Sequence, residues 1–158
     1  MAGVTFADFD VRSARSAGRL AIAMETQILF LFCILWTSPN TALGLLIGGL
    51  GLCFGGKVRV RGRVIEFYEG GTKWFLHRLP QGQFTLALTL GHTILGQTDA
   101  SLDISREHEL VHVAQYERWG PFFLPAHFLS SLFMWMTGKR FYRDNPFERE
   151  AYDVDRGE

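Results

Sequence analysis

The chain has 158 residues with 16 basic and 16 acidic side chains, so no net charge argues for a nucleic-acid partner. That length fits one compact domain with a real core. Hydrophobic residues make up 47% and the mean hydropathy is +0.07, an excess gathered into a few stretches rather than spread evenly. Cys33 and Cys53 both lie in such stretches, without a Cys or His at metal-ligand spacing, and read as buried thiols. A single bridge between them stays open.

Residues 1–19 are polar and mixed, with Arg12, Arg15 and Arg19 leading into the apolar run 20–37. Ser38-Pro39-Asn40 reads as a turn, and a second, uncharged run follows over 41–56. Each run is near the lower limit of about 17–25 residues for a membrane-spanning helix. Together they predict a helical hairpin, either spanning or buried, that contacts membrane lipid in the first case. Lys57, Arg59, Arg61 and Arg63 follow it, so with basic residues on both flanks the positive-inside rule puts both on the cytoplasmic side. The expected domains are therefore 1–56, an arm and hairpin, and 57–158.

From Lys57 the pattern changes. KVRVRGRVIEFY alternates in part and is broken by Gly62, as two half-buried strands would be. Gly70-Gly71 predicts a turn, KWFLHRL a short strand, and Pro80-Gln81-Gly82 another turn. Residues 84–90, FTLALTL, alternate cleanly and lead into GHTILG. The expectation is a small, mostly antiparallel sheet. His92, near its end, is a candidate oxyanion stabiliser or else a structural histidine, and nothing in the sequence decides its distance from other groups.

The sheet leads into LDISREHELVHVAQYERWG, which contains His108-Glu109-Leu110-Val111-His112. On a helix, residues i and i+4 share a face, so the two histidines can offer two imidazoles to one zinc ion. Glu109 stands beside the first of them, placed to take a proton from an activated water. Asp99, Ser101 or Asp103 can cap this helix and Gly120-Pro121 ends it. The next segment, FFLPAHFLSSLFMWMTG, is apolar apart from His127 and suits either burial or a membrane surface. Finally, in Asn145-Pro146-Phe147-Glu148-Arg149-Glu150-Ala151-Tyr152 the first residue can cap a helix and the second can start it.

HExxH followed by this second glutamate-bearing helix resembles the gluzincin zinc peptidases, closest to the membrane gluzincins of the CAAX-protease and heat-shock-protease kind. The C-terminal half also resembles small bacterial zincin-like, membrane-associated proteins. The resemblance implies a minimal zincin-like α+β fold, a zinc ion held by His108, His112 and Glu148, and hydrolysis of a peptide or protein substrate. It also implies that residues 84–95 line the cleft as an edge strand. Glu150 is the rival third ligand, and Tyr152 stands where the family has an aspartate that orients a ligand histidine. The implied location is a bacterial inner membrane with the zinc domain facing the cytoplasm. A non-catalytic module with structural zinc or none, and a membrane scaffold, are the competing expectations. Substrate identity and oligomeric state are not legible.

Overall fold

The computed structural model describes residues 6–79 and 82–155, with side chains over 24–29, 31–79 and 82–154. The arginines of the N-terminal arm, Pro80-Gln81 of the expected second turn and the extreme C-terminal tail lie outside the described side chains. The chain divides into two compact units, 1–35 and 36–158.

The first helix, α1, runs unbroken over Phe6–Leu52 with Pro39 inside it. This corrects the expected hairpin. Proline removes one backbone donor but its φ is helical, and an apolar helix tolerates it when neighbouring polar groups find other partners. One such partner lies within the helix and another is tertiary. Thr41 donates to the Thr37 carbonyl (3.1 Å), and Asn40 donates to the Gly120 carbonyl (3.2 Å) across 80 residues. The residues that looked like a turn therefore fasten α1 to the rest of the second unit. Over Met24–Leu52, α1 is long and apolar enough to cross a membrane by length and composition, with a mean hydropathy of 1.6.

Four strands follow in the order β1-β2-β4-β3, where β1 is Lys57–Arg61, β2 Val64–Tyr68, β3 Ala87–Leu90 and β4 Thr93–Gly96. The β1/β2 and β3/β4 pairs are antiparallel and β2/β4 is parallel. The parallel pair needs a crossover, and part of it is α2, Gly70–Arg78. Here the expected Gly-Gly turn and KWFLHRL strand are corrected to a helix. Glu69 (φ 62°) and Gly70 (φ 48°) redirect the chain out of β2, and Thr72 and Leu76, four residues apart, share the buried face.

Both faces of the sheet are covered. Val64, Ala87 and Ile94 meet Leu102 of α3 (Asp99–Ile104) and Val113 of α4 (Arg106–Trp119). On the opposite face Phe67, Leu90 and Leu95 meet Leu76 of α2, with Ile47 of α1 and Leu124 beside them. A sheet buried on two sides reads as near-continuous apolar sequence, so VIEFY and TILG do not alternate as the half-buried pattern would. The HExxH helix starts later than its sequence suggests. Thr98 and Ser101 form a reciprocal capping box for α3, and α4 begins after Ser105. Two helices complete the fold, α5 (Phe123–Met136) and α6 (Pro146–Asp155). Asn145 Oδ1 accepts from the Phe147 N–H (2.9 Å), the cap its sequence implies. Cys53, expected to be buried, is exposed.

The β3–β4 turn is pressed against α1. Gly91 has φ 62°, and a Cβ there would lie 2.2 Å from Thr41 Oγ1. Gly91→Ala is expected to cost about 3 kcal/mol, combining left-handed strain with overpacking, and to lower Tm by roughly 10 °C. Gly62→Ala, with a similar φ of 64° but open surroundings, meets only the first of those costs, about 1–2 kcal/mol. Equal Tm values for the two variants would contradict the packing of this turn on α1.

Candidate metal centre

Helix α4 carries His108, Glu109 and His112 on its buried side. The i, i+4 spacing stacks the two imidazoles one turn apart, with ring centroids at 4.8 Å and their Nε2 atoms at 3.2 Å. Helix α6 packs against α4, and Ala151 is fully buried there. That packing brings Glu148, in the first turn of α6, to the pair. Its Oε2 lies 3.4 Å from His108 Nε2, and its Oε1 lies 3.6 Å from His112 Nε2.

The candidate ligand atoms of His108, His112 and Glu148 all fall within 4.8 Å of one another, and all three residues are buried. Glu148 Oε2 is a buried oxygen without a hydrogen-bond partner, although it points at the histidines. Its companion Oε1 accepts from His127 Nε2 (2.8 Å) on α5. One carboxylate oxygen is thus held by protein and the other is left for an ion. Burial pushes the Glu148 carboxyl up, but the histidines around it, His108 and His127 foremost, outweigh it and hold the pKa at about 2. The group is anionic throughout the neutral range, as a ligand must be.

Glu109 is oriented from the sheet. Thr89 of β3 donates to its Oε2 at 2.6 Å, leaving Oε1 for another partner. A cleft of about 460 Å³ opens over His108 and Glu109, walled by Phe84, Leu86, Ile104, Phe141, Tyr142 and Tyr152. Apart from the two α4 residues its lining carries no charge. A smaller cavity of about 90 Å³ behind it is bounded by Glu109, His112, Tyr116, His127, Tyr142 and Glu148, among others. The Tyr116 hydroxyl is buried without a partner. Burial, with Glu109 close by, raises its pKa, and burial together with Glu148 does the same for Tyr142. Both hydroxyls therefore stay protonated.

His92 is not brought to this group. It sits on the β3–β4 turn with Nδ1 3.0 Å from Thr37 Oγ1 and Nε2 3.0 Å from Glu117 Oε1. Glu117 lies two turns beyond Glu109, about 12 Å along the helix axis at 1.5 Å per residue. One ring nitrogen thus seats the turn on α1 and the other on α4. Glu150, the rival ligand, is turned away as well. It accepts from Gln115 Nε2 (2.9 Å) and lies 3.2 Å from Arg118. Tyr152 packs its ring on His108 with centroids at 4.9 Å.

Three contributors carry no signal in the sequence pattern: Thr89, His127 and Gln115. No acidic residue neighbours His127 in sequence, yet Glu148 is its neighbour in space. Asn145 then holds the α5 end of the contact, donating to the His127 carbonyl (2.9 Å) and to Ser131 Oγ (2.6 Å).

Fold and site together define a small α+β protein with a buried His–His–Glu group that can hold a metal ion. No protein-family model, no curated protein and no solved structure matches the chain.

Proposed function

We propose that this protein is a zinc-dependent metallopeptidase held at a membrane by α1. The observation that carries the reading is the convergence of His108, His112 and the unpartnered Glu148 Oε2, with Glu109 beside them at the floor of an open cleft. The separations of His108 Nε2 from His112 Nε2 and from Glu148 Oε2, 3.2 and 3.4 Å, are close to the edge of about 3.3 Å expected for a tetrahedron with ligands about 2.0–2.1 Å from zinc. Two imidazoles and one carboxylate also form the donor set of the gluzincin peptidases that the sequence resembles.

When bound, zinc supplies a Lewis acid for water activation and carbonyl polarisation near neutral pH. Glu109, aligned by Thr89, takes the proton of the attacking water and passes it to the leaving amine. Tyr142 and Tyr116, both kept protonated, line the cavities beside Glu109 and supply hydroxyl donors for the developing oxyanion. The free edge of β3 bounds the cleft, where an extended peptide can add as a further strand. The uncharged walls favour large apolar side chains.

A non-catalytic module would call for a closed site with a fourth protein ligand. That arrangement gains little support, because Glu150 faces Gln115 and His127 Nε2 is committed to Glu148 Oε1. Membrane attachment is supported by the length and hydropathy of α1. It is supported too by α5, which exposes Phe128, Leu129, Phe133, Trp135 and Met136. Phe128 meets Phe141 at the cleft mouth, with centroids at 6.3 Å, so this apolar surface continues to the cleft. With one crossing instead of a hairpin, the flanks fall on opposite sides. The four basic residues that follow the apolar part of α1 outnumber the three arginines ahead of that part, which favours a cytoplasmic zinc domain.

The test is full-length protein reconstituted in vesicles and offered a diverse peptide mixture. The expected result is cleavage beside large apolar residues, abolished by a chelator and restored by zinc, with protein that resists alkaline extraction. Zinc-loaded protein that cleaves nothing would overturn the peptidase reading, and extraction into the supernatant would overturn the membrane anchor.

A further inference from the structure

Gln115 is completely buried on α4, three residues after His112. A buried primary amide has two donors and an acceptor to satisfy, and each of these finds a partner here. Its nitrogen donates to the Phe147 carbonyl (3.0 Å) and to Glu150 Oε2 (2.9 Å), while its oxygen lies 2.8 Å from His112 Nδ1. The first two partners accept only, which fixes the direction of the third bond. The carbonyl of Phe147 and the carboxylate of Glu150 require the NH2 of Gln115, so its oxygen must face His112. The His112 Nδ1 must then carry a proton, and in the neutral ring its Nε2 is left with a lone pair. That Nε2 is the atom 3.2 Å from His108 Nε2 and 3.6 Å from Glu148 Oε1.

We propose that Gln115, itself held by Glu150, is a positioning residue that locks His112 as the Nδ1–H tautomer and aims its Nε2 at the ion. The proposal rests on the metal-site reading above and assigns the outer support of that site. Tyr152 lies on the ring of His108, and Glu150 supplies the anionic charge behind His112, through Gln115. Its other oxygen lies 3.2 Å from Arg118, which balances that charge at the protein surface. The rival ligand of the sequence thus becomes the anchor of a relay, Arg118–Glu150–Gln115–His112, whose neutral middle member passes on orientation without placing a second carboxylate against the ligand histidine. Partners of this kind typically alter metal affinity by about 10–100-fold when removed.

Two readouts on the full-length protein in detergent test this. One is histidine-selective 15N NMR of metal-free protein, which reports which ring nitrogen of His112 bears the proton. The other is zinc affinity measured by competition with a chromophoric chelator. In the wild type, His112 is expected as Nδ1–H. Gln115→Leu is expected to lose that signature and to weaken zinc by about 10–100-fold. Gln115→Met fills much the same volume with neither donor nor acceptor and is expected to lose the signature and to weaken zinc to the same extent. This variant separates positioning from mere packing, because a filled volume alone would leave the affinity unchanged, and the wild-type tautomer decides the matter if neither variant folds. An Nε2–H His112 in the wild type, or wild-type zinc affinity in Gln115→Met, overturns the proposal. A wild type with the Nδ1–H signature but no zinc binding overturns the metal reading and leaves the positioning of His112 standing.

Discussion

Glu148→Ala is expected to reduce bound zinc from about one ion per chain to a small fraction of that, in protein purified without added metal. The alanine removes the only anionic member of the triad and leaves two imidazoles in a buried site, where a cation has no charge to offset its desolvation. The loss should exceed the roughly 10–100-fold typical of outer partners. Glu148→Gln, which keeps the shape and the contact with His127, should show nearly the same loss and so separates charge from packing. Glu150→Ala is the contrasting variant. Its carboxylate reaches the site only through Gln115, and its effect should stay within the outer-partner range. Zinc retained in full by Glu148→Ala would end the three-ligand reading.

Glu109→Gln should leave zinc content unchanged and lower peptide hydrolysis by about 10²–10⁴-fold, the usual range for a positioned general base. The amide fills the same space and keeps a contact with Thr89, but has no basic oxygen to take a proton. Because Glu109 lies outside the group of three candidate ligands, metal and activity should part company in this variant and fall together in Glu148→Ala. The assay is the zinc content and the cleavage rate of one purified sample. Activity near the wild-type level would remove Glu109 from the mechanism.

The difference between these two glutamates shows how far sequence reasoning reached. HExxH on a helix determines by itself that His108 and His112 share a face, because 3.6 residues per turn leave no other option over four residues. The same local physics puts Glu148 and Glu150 in the opening turns of a helix begun by Asn145-Pro146. It does not choose between them. Two residues apart on a helix, they point about 200° away from each other, and only the seating of α6 on α4 decides which one faces the histidines. The contacts of Gln115 with Phe147 and Glu150, and of His108 with Tyr152, fix the phase.

Elsewhere, a local signal was outweighed by tertiary structure. Ser38-Pro39-Asn40 has the composition of a turn, yet Thr37, Asn40 and Thr41 spend their polar groups on the β3–β4 turn and on Gly120, 50 to 80 residues away. The helix can therefore pass through the proline. KWFLHRL is too short for its period to separate strand from helix, and the backbone reversal at Glu69-Gly70 settled it as α2. His127 carried no signal at all, because its partner lies 21 residues downstream on another helix.

What the sequence determined was the presence of two ligand-bearing helices, the cap of the second, the α+β class and an apolar N-terminal run. These follow from periodicity, capping chemistry and composition, all of which act within one element. Only the tertiary structure decided which glutamate completes the triad, that Thr89 orients Glu109, that Gln115 orients His112, and that α1 is one helix. Each of those depends on the angle and phase at which two elements pack, and a single element's sequence does not contain them.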